Sequence, residues 1–295
     1  MPGGIGNQLF ALFASRYLAD QTGSTCFLQF QTIDFHHTKG QYDIRDFNLN
    51  PNETRVFFSS IRSAAKPVYY PKNRVTRLLS RHYLSRYSYS FETNFDRLEN
   101  LKRFIETNSW EVKFPLRISG YFGDFAFFDS THHLSPALSL RRESERYRQL
   151  KSEISSTDSI GIHLRLGDFE LHPNSIGLLS DSYYREALSQ LESSEQDIFL
   201  FTNNLDIAKL RVKKWGLKNK IKIIESSQNN SPAEDLMLLS KCTHIITSNS
   251  TYSLWAAKLS CSNSIFYPKQ YRKDKTTTIS SIPKSWIGLD NAWQR

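Results

Sequence analysis

The sequence predicts an α/β protein whose C-terminal half is a doubly wound parallel sheet. Two observations carry this prediction: short apolar runs alternate with amphipathic segments along that half, and turn-forming residues separate them. The length of 295 residues exceeds a typical single domain and is enough for two hydrophobic cores. We therefore predict an N-terminal domain over residues 1–150 and a C-terminal domain over residues 151–295, with the boundary inside the polar, Ser-rich stretch 140–157 and a cleft between the domains.

The N-terminal half opens on a glycine-rich turn. Apolar residues then recur at three- and four-residue spacing, which predicts a helix over residues 8–21. Such a turn lets an oxygen-rich ligand approach the backbone N–H groups near Gly4 and Gly6, although many such turns only help a helix to pack on a sheet. In α/β proteins this turn usually follows a strand, so we expect the chain to start late relative to its relatives.

Two strands are predicted in the N-terminal half, over residues 26–30 and 116–119. The second of them precedes an aromatic stretch at residues 120–128. For that stretch, core packing is favoured over a lining between the two domains. The rest of the middle region shows only helical patches and many aromatic residues.

Strands and helices alternate regularly in the C-terminal half. A capping box from Ser231 to Glu234, with Pro232 at the first helical position, marks the start of one helix. The predicted strands cover residues 160–164, 198–202, 221–224, 244–247 and 264–267. The predicted helices cover residues 181–193, 205–214 and 251–259, besides the one that follows Ser231. This alternation predicts the doubly wound sheet.

The composition indicates a globular protein of a reducing compartment. Hydrophobic residues make up 39% and charged residues 23%, and no apolar run approaches the roughly 20 residues of a membrane span. The N-terminus lacks the pattern of a signal peptide. The three cysteines are scattered, which argues against a disulfide framework and a zinc site. We expect a cytoplasmic protein.

The positive charge is concentrated in one Tyr-rich segment, residues 62–103. Basic residues interleaved with aromatics are typical of a solvated helical face, of a nucleic-acid site, of an anionic membrane surface, or of a site for an acidic or sugar-bearing substrate. Nucleic acid explains none of the motifs described below and ranks last. Peripheral contact with the inner membrane face stays open.

The motif that carries most chemistry lies at the end of the apolar run that begins at Ser159. His163, Arg165 and Asp168 follow one another within six residues there. Open α/β sheets bind ligands at the carboxyl ends of their strands, and an Arg offers a planar fork of donors suited to phosphate. A structural salt bridge between Arg165 and Asp168 is the alternative interpretation.

Two further motifs point to the same edge of the sheet. Glu234 and Asp235 open a helix, where carboxylates either favour the positive helix end or accept hydrogen bonds from a nucleotide. Hydroxyl groups and N–H groups after the strand 244–247 form either a phosphate cradle or a helix cap, over Ser248, Asn249, Ser250 and Thr251. The sequence contains no D-x-D triplet, no Gly-x-Ser-x-Gly elbow and no phosphate-binding P-loop, so we expect no metal site, ester hydrolysis or ATP-driven chemistry.

Taken together, these motifs resemble those of the α-1,2-fucosyltransferases of bacterial type, glycosyltransferase family 11. The similar blocks occur in the family's order: residues 3–10 (GGIGNQLF), 120–122 (GYF), 163–168 (HLRLGD), 182–184 (SYY), 234–240 (EDLMLLS), 248–255 (SNSTYSLW) and 282–286 (IPKSW). An ordered agreement across nearly the whole chain is more specific than any single block.

The resemblance implies a GT-B fold of two Rossmann-like lobes and inverting, metal-independent transfer of fucose from GDP-β-L-fucose. The hydroxyl that receives the fucose would be the 2-OH of a galactose. The N-terminal lobe would bind the acceptor and the C-terminal lobe the GDP. By the same resemblance, Arg165 contacts the β-phosphate with His163 beside it, Asp235 holds the nucleotide, and Ser250 and Thr251 cradle the phosphates. Asn7 is expected close to the reacting glycosidic oxygen.

One departure from the family pattern bears on donor binding. Leu166 stands where the family has a second Arg. If this side chain faces the pocket, one charged contact of roughly 1.5 to 3 kcal/mol is lost, whereas strand alternation would direct it away from Arg165. The general base also stays open among Asp168, His163 and Asp34.

Two alternatives to this function are kept. The first is a catalytically decayed homologue that binds sugar nucleotides or glycans without turnover. The second is a transferase for another nucleotide sugar. If the basic segment meets a membrane, lipid-linked oligosaccharides of a surface polysaccharide become the expected acceptors.

Overall fold

A computed structural model describes residues 4–22, 26–31, 43–49, 54–59, 97–107, 121–131, 138–191, 196–226, 231–275 and 278–294. The chain forms two compact units. The N-terminal unit comprises Met1–Gln41 and Leu49–Ala137, and the C-terminal unit comprises Tyr42–Asn48 and Leu138–Arg295. The division after Ala137 lies ahead of the domain boundary predicted at residue 150.

The described residues of the N-terminal unit form two parallel strands and three helices. Its first helix begins three residues earlier than predicted and ends near the predicted residue. The elements are α1 (Ile5–Thr22), β1 (Cys26–Gln31), β2 (Thr54–Ser59), α2 (Leu98–Thr107) and α3 (Ala126–Thr131). Strands β1 and β2 pair in parallel, from Cys26 opposite Thr54. The strand predicted at residues 116–119 lies outside the described residues.

The core of the N-terminal unit is aromatic. The ring centroids of Phe10 and Phe125 lie 5.1 Å apart, and those of Phe13 and Phe128 lie 4.8 Å apart. These contacts pack α3 against α1 and confirm the core-packing interpretation for Phe125 and Phe128, whereas Tyr121 is exposed. Aromatic pairs at such distances stabilise the fold beyond what the burial of their surface contributes.

The C-terminal unit is built on a six-stranded sheet in which every pair is parallel. Its strands are β3 (Ser159–Leu164), β4 (Asp197–Thr202), β5 (Ile221–Glu225), β6 (His244–Ile246), β7 (Ser264–Pro268) and β8 (Ile287–Leu289). They lie in the order β5-β4-β3-β6-β7-β8. The helices are α4 (Glu145–Ser155), α5 (Asp181–Ser189), α6 (Leu205–Trp215), α7 (Pro232–Leu239) and α8 (Thr251–Lys258). The predicted α/β class and doubly wound sheet are confirmed.

Strand β3 lies at the centre of this sheet, and all six of its residues are buried. Helix α7 packs close to it because Gly161 has no side chain. A Cβ atom at this position would lie 2.7 Å from both Cys242 Sγ and Leu239 Cδ1, which is too close for van der Waals contact. The glycine therefore sets the distance between α7 and the sheet.

Helix α4 occupies most of the polar, Ser-rich stretch 140–157, inside which the domain boundary was predicted. Its buried face is carried by Tyr147, Leu150 and Ile154, and the rest of the helix is polar. Ser144 caps its N-terminus by accepting a hydrogen bond from the backbone N–H of Tyr147. The three- and four-residue spacing of the apolar side chains was the signal for this helix.

A short segment from the N-terminal part of the sequence completes the C-terminal unit. Phe47 is fully buried and pairs with Leu140 in an antiparallel bridge. The preceding 3-10 turn, Asp43–Asp46, places the Asp46 carboxylate 2.5 Å from Ser231 Oγ. The chain therefore passes through the C-terminal unit once before it returns at residue 138.

Candidate functional site

The strand order places a crevice between β3 and β6. From β3 the sheet continues to β4 and β5 on one side, and from β6 to β7 and β8 on the other. Ile162 pairs with Ile246, so these two strands end at neighbouring positions. Ligands of doubly wound sheets bind at such a switch point, outside the carboxyl ends of the strands. The His163 and Ser248 motifs follow these two strand ends.

His163 is buried at the floor of this crevice, with 4% of its surface exposed. Its Nδ1 lies 2.8 Å from Ser248 Oγ, and its ring stacks on Tyr252 with centroids 5.0 Å apart. Burial, and to a lesser degree the charge of Arg165, lowers the pKa of His163 to about 3. The imidazole is therefore neutral at neutral pH.

Arg165 follows the last residue of β3 and is half-buried. Its guanidinium lies over the ring of Phe169, with Cζ 5.4 Å from the ring centroid. Its positive charge acts on His163 and on Tyr271. Asp168 lies in the same 3-10 turn as Phe169, Gly167–Leu171, but its side chain is outside the described part of the structure.

The neighbour of Arg165 points into the core. Leu166 is fully buried and belongs to the apolar cluster beneath the sheet. The Asn203 side chain hydrogen-bonds with both backbone groups of Leu166. Its Oδ1 accepts from Leu166 N–H at 2.8 Å, and its Nδ2 donates to Leu166 O at 2.9 Å. Gly167 follows with a φ of +64°, a conformation that favours glycine. Leu166 is thus directed away from the crevice.

Two tyrosines of α5 hold the strand ends on both sides of the crevice. The Tyr183 hydroxyl donates to Thr247 O at 2.9 Å, and the Tyr184 hydroxyl donates to His163 O at 3.3 Å. Burial raises the pKa of both phenols above the usual value near 10. The SYY block of the sequence therefore positions the two strand ends.

The polar side chains between β6 and α8 make internal hydrogen bonds. Asn249 Nδ2 donates to the carbonyl oxygens of Ile176 and Gly177, and Ser250 Oγ caps α8 by accepting from Tyr252 N–H at 3.4 Å. The hydroxyl of Tyr271 hydrogen-bonds with both the hydroxyl and the backbone N–H of Thr251. The structure therefore brings the predicted cradle residues together and gives the side chains of Asn249 and Ser250 a structural role.

The first turn of α7 carries the second acidic motif. Glu234 accepts two hydrogen bonds from Ser144, from its backbone N–H at 2.6 Å and from its hydroxyl at 2.7 Å. Ser231 Oγ accepts from Glu234 N–H at 3.3 Å, which is one half of the predicted capping box. The reciprocal half is replaced, because the Glu234 carboxylate caps α4 instead.

Asp235 is fully buried, so its carboxylate offers no surface to a nucleotide in this structure. One oxygen lies 2.7 Å from Arg146 Nη1, and the other accepts from Ser226 Oγ at 3.1 Å. Burial raises the pKa of Asp235, and Arg146 opposes this shift. Arg146 is the partly exposed member of the pair, because its side chain keeps 30% of its surface in solvent.

The residues around His163 and those at the start of α7 are connected by direct contacts within the C-terminal unit. The Tyr252 hydroxyl donates to Pro232 O at 3.2 Å and so joins the start of α7 to the ring that stacks on His163. Sequence reasoning did not single out Arg146, Asn203, Tyr252 or Tyr271 as site residues. The Tyr252 position was visible inside the SNSTYSLW block, whereas Arg146 was hidden in the polar stretch 140–157.

The predicted residues of the glycine-rich turn lie in the N-terminal unit. Gly4 is exposed, Gly6 is buried, and Asn7 is half-buried in the first turn of α1. The backbone N–H groups of Asn7 and Gln8 both donate to Gly4 O. Asp34 and most of the basic segment 62–103 lie outside the described residues.

The described residues include neither a candidate metal centre nor a candidate membrane span. Within these ranges no group of three or more His, Cys, Asp or Glu side chains is arranged to hold a metal ion. No helix among them has the length and apolar character needed to cross a membrane.

Comparison with known sequences gives the family. The sequence model of glycosyl transferase family 11 matches residues 101–290. The O-antigen biosynthesis glycosyltransferase WbnK of Escherichia coli is 25% identical over 288 residues, which cover 88% of each chain. The galactoside alpha-(1,2)-fucosyltransferase 1 of Rattus norvegicus is 25% identical over 59% of this chain, and an alpha-1,2-colitosyltransferase of Escherichia coli is 23% identical over 48% of it. The chain spans about half the length of the last two, 51% of each.

Solved structures show weaker likeness. POFUT1 in complex with GDP matches with a TM-score of 0.41 and 12% identity, covering 90% of this chain and 95% of that one. The ADP-heptose heptosyltransferase II of E. coli matches with a TM-score of 0.45 and 11% identity, covering 98% and 88%. The fold assignment therefore rests on the strand order of the chain itself. The family model covers well over half of the sequence, and this chain belongs to glycosyl transferase family 11, as a glycosyltransferase of the fucosyltransferase-like type.

Proposed function

We propose that this protein transfers L-fucose from GDP-β-L-fucose to a hydroxyl of a galactose-containing glycan, with inversion at the anomeric carbon. The observation that carries the proposal is the position of Arg165, a half-buried guanidinium at the switch point of a parallel sheet in a family 11 chain. A relative named galactoside alpha-(1,2)-fucosyltransferase supports the choice of sugar and linkage. The two units would be the two lobes of a GT-B fold.

In the proposed reaction, the acceptor hydroxyl attacks C1 of fucose from the face opposite GDP. The new bond joins the acceptor oxygen to C1, the bond from C1 to the β-phosphate oxygen breaks, and its electron pair leaves with GDP. The hydroxyl proton passes to a general base or to water. Arg165 and the N-terminus of α8 stabilise the negative charge that develops on the β-phosphate. In this structure the backbone N–H of Thr251 donates to the hydroxyl of Tyr271. To bind a phosphate, this N–H would have to exchange that hydroxyl for a phosphate oxygen.

The structure favours a binding role over a basic role for His163. The ring is buried, its Nδ1 is engaged by Ser248, and its pKa is lowered to about 3. A base with so low a pKa is weak, and one with almost no exposed surface does not reach an acceptor hydroxyl. We propose that His163 supports the donor from below, and that Asp168 or Asp34 assists deprotonation.

We also propose that the acceptor is bound by the N-terminal unit, with Asn7 near the reacting oxygen. A lipid-linked oligosaccharide fits the basic, Tyr-rich segment 62–103, because such segments are attracted to anionic lipid surfaces. This part of the proposal requires binding of the protein to anionic liposomes that weakens as salt is added.

The experiment is a transfer assay with the purified protein, GDP-β-L-fucose and a panel of galactosides, read by release of GDP. We expect an α-linked product by NMR, no loss of rate with EDTA, and a fall in rate on the order of 100- to 1000-fold for Arg165→Ala. Arg148→Ala is the matched control, because Arg148 is an exposed residue on the surface of α4. Near-normal turnover by Arg165→Ala, or GDP-fucose left intact by the wild type with every acceptor, would refute the proposal.

A second candidate donor is favoured by one comparison. One relative of this chain is an alpha-1,2-colitosyltransferase, so the same scaffold accepts a sugar other than fucose in that protein. Competition with the corresponding colitosyl donor, GDP-mannose and UDP-galactose separates the two candidates. Tighter competition by a donor other than GDP-fucose would select the second one.

A further inference from the structure

We infer that Arg146 is a second arginine of the donor site, and that Asp235 is the residue that positions it. The inference rests on the proposed function, because it assigns Arg146 to the nucleoside diphosphate of that same donor. It also changes the role that the sequence suggested for Asp235, from nucleotide contact to support of the residue that makes the contact.

The geometry of the pair supports this division of roles. Asp235 has no exposed surface, and both of its oxygens are occupied, one by Arg146 Nη1 at 2.7 Å and the other by Ser226 Oγ at 3.1 Å. Arg146 keeps 30% of its side chain exposed. A guanidinium offers five N–H donors in a planar fork, so holding one edge on a carboxylate orients the rest of the group.

The pair lies on the ligand-binding edge of the sheet. Ser226 directly follows Glu225, the last residue of β5, and Asp235 lies in the first turn of α7. That turn is joined to the crevice through the hydrogen bond from Tyr252 to Pro232 and the stacking of Tyr252 on His163. Helix α7 connects β5 to β6 in the chain. Arg146 and Arg165 therefore lie at the same edge of the sheet, the one formed by the carboxyl ends of the strands.

A purely structural role for the pair explains less. Helix α4 is already attached to α7 by Glu234, which accepts two hydrogen bonds from Ser144. Removing a carboxylate from water is costly, and well-packed apolar side chains would often fix the helix equally well. A second, buried carboxylate that holds an arginine with 30% of its side chain in solvent is better explained by the need to orient the guanidinium for an anionic ligand.

The test compares stability with GDP affinity in the full-length protein. Arg146→Met combined with Asp235→Leu replaces the ion pair by apolar groups, and Arg146→Lys keeps the charge but loses the planar fork. We expect melting temperatures close to that of the wild type, Kd for GDP raised about tenfold or more, and a matching rise in KM for the donor with KM for the acceptor unchanged. Arg148→Ala, on the exposed surface of the same helix, should leave all four quantities unchanged.

The outcomes separate this inference from the proposed function. If the double variant and Arg146→Lys bind GDP as the wild type does, the inference is wrong and the proposed function stands. If the wild type itself does not bind GDP, both fail together. If the double variant does not fold, Arg146→Lys decides alone, because it leaves Asp235 with a cationic partner: unchanged GDP affinity in that variant overturns the inference.

Discussion

At the scale of single residues, two neighbours in the sequence have opposite environments. Arg165 is half-buried at the crevice, whereas Leu166 is fully buried in the apolar core. Consecutive residues of an extended chain point to opposite sides, so the position next to Arg165 is a core position here. The leucine that replaces the family's second Arg therefore acts first in the packing of the apolar core.

Restoring that arginine should destabilise the protein. Leu166→Arg places a charge in an apolar cluster, which we expect to lower the free energy of unfolding by about 3 to 5 kcal/mol, whereas Leu166→Met should cost less than about 1.5 kcal/mol. Urea unfolding of both variants measures the difference. A Leu166→Arg protein of normal stability with tighter GDP binding would contradict the buried assignment.

His163 predicts an acid-sensitive stability. Its pKa is about 3 in the folded protein and near 6.5 in the unfolded chain, so between these values the unfolded state binds more protons and stability falls as the pH is lowered. At pH 5 the loss from this residue is about 2 kcal/mol relative to pH 7. We expect His163→Gln to show a shallower fall between pH 7 and pH 5 in urea unfolding, whereas replacement of the exposed His172 should leave it unchanged. Identical slopes for His163→Gln and the wild type would show that the imidazole is not buried and neutral.

At the scale of elements, the site depends on the turns that follow the strands. The turn after β3 is held by the Asn203 side chain, which pairs with the backbone of Leu166 as a neighbouring strand would. Gly167 leaves little room next to it, since a Cβ atom there would lie 3.0 Å from Asn203 Nδ2. Arg165 is thus presented by a turn whose backbone is fixed from β4.

Asn203→Ala should therefore impair donor use more than stability alone explains. We expect kcat/KM for the donor to fall about tenfold or more, because the guanidinium loses its fixed position, together with a stability loss of about 1 to 3 kcal/mol. Asn219→Ala is the matched control, since Asn219 Nδ2 donates to Gln196 O at 2.9 Å near the amino end of β4. Equal kinetic effects from both variants would contradict a positioning role for Asn203.

At the scale of the whole molecule, the two units are not two successive halves of the sequence. Residues Tyr42–Asn48 belong to the C-terminal unit although the N-terminal unit surrounds them in sequence. Phe47 is fully buried there, and Asn48 Nδ2 donates to Ser139 Oγ and Leu140 O. The C-terminal unit is therefore not complete within residues 138–295.

Phe47→Ala should accordingly destabilise the C-terminal unit. We expect a loss of about 3 to 5 kcal/mol from the cavity and the lost burial. Tryptophan fluorescence reports this unit through Trp215, Trp255, Trp286 and Trp293. An unfolding transition at the wild-type denaturant concentration would show that the segment contributes nothing to this unit.

The sequence by itself determined the alternation of strands and helices, the residues at the strand ends, and the family. Strands β3 to β7 lie within one or two residues of their predicted bounds, because buried parallel strands are continuous apolar runs. Helix α4 was missed because its apolar residues are few, and β8 because three residues carry no period.

Only the tertiary structure decided which polar side chains are buried and which partners they have. Asp235 and Arg146 are 89 positions apart, and Glu234 and Ser144 are 90 apart. Burial and charge pairing depend on such distant neighbours, whereas periodicity depends on adjacent ones. A local pattern therefore located the polar residues at the carboxyl edge of the sheet, and packing between α4 and α7 buried Asp235 and left Arg146 partly exposed.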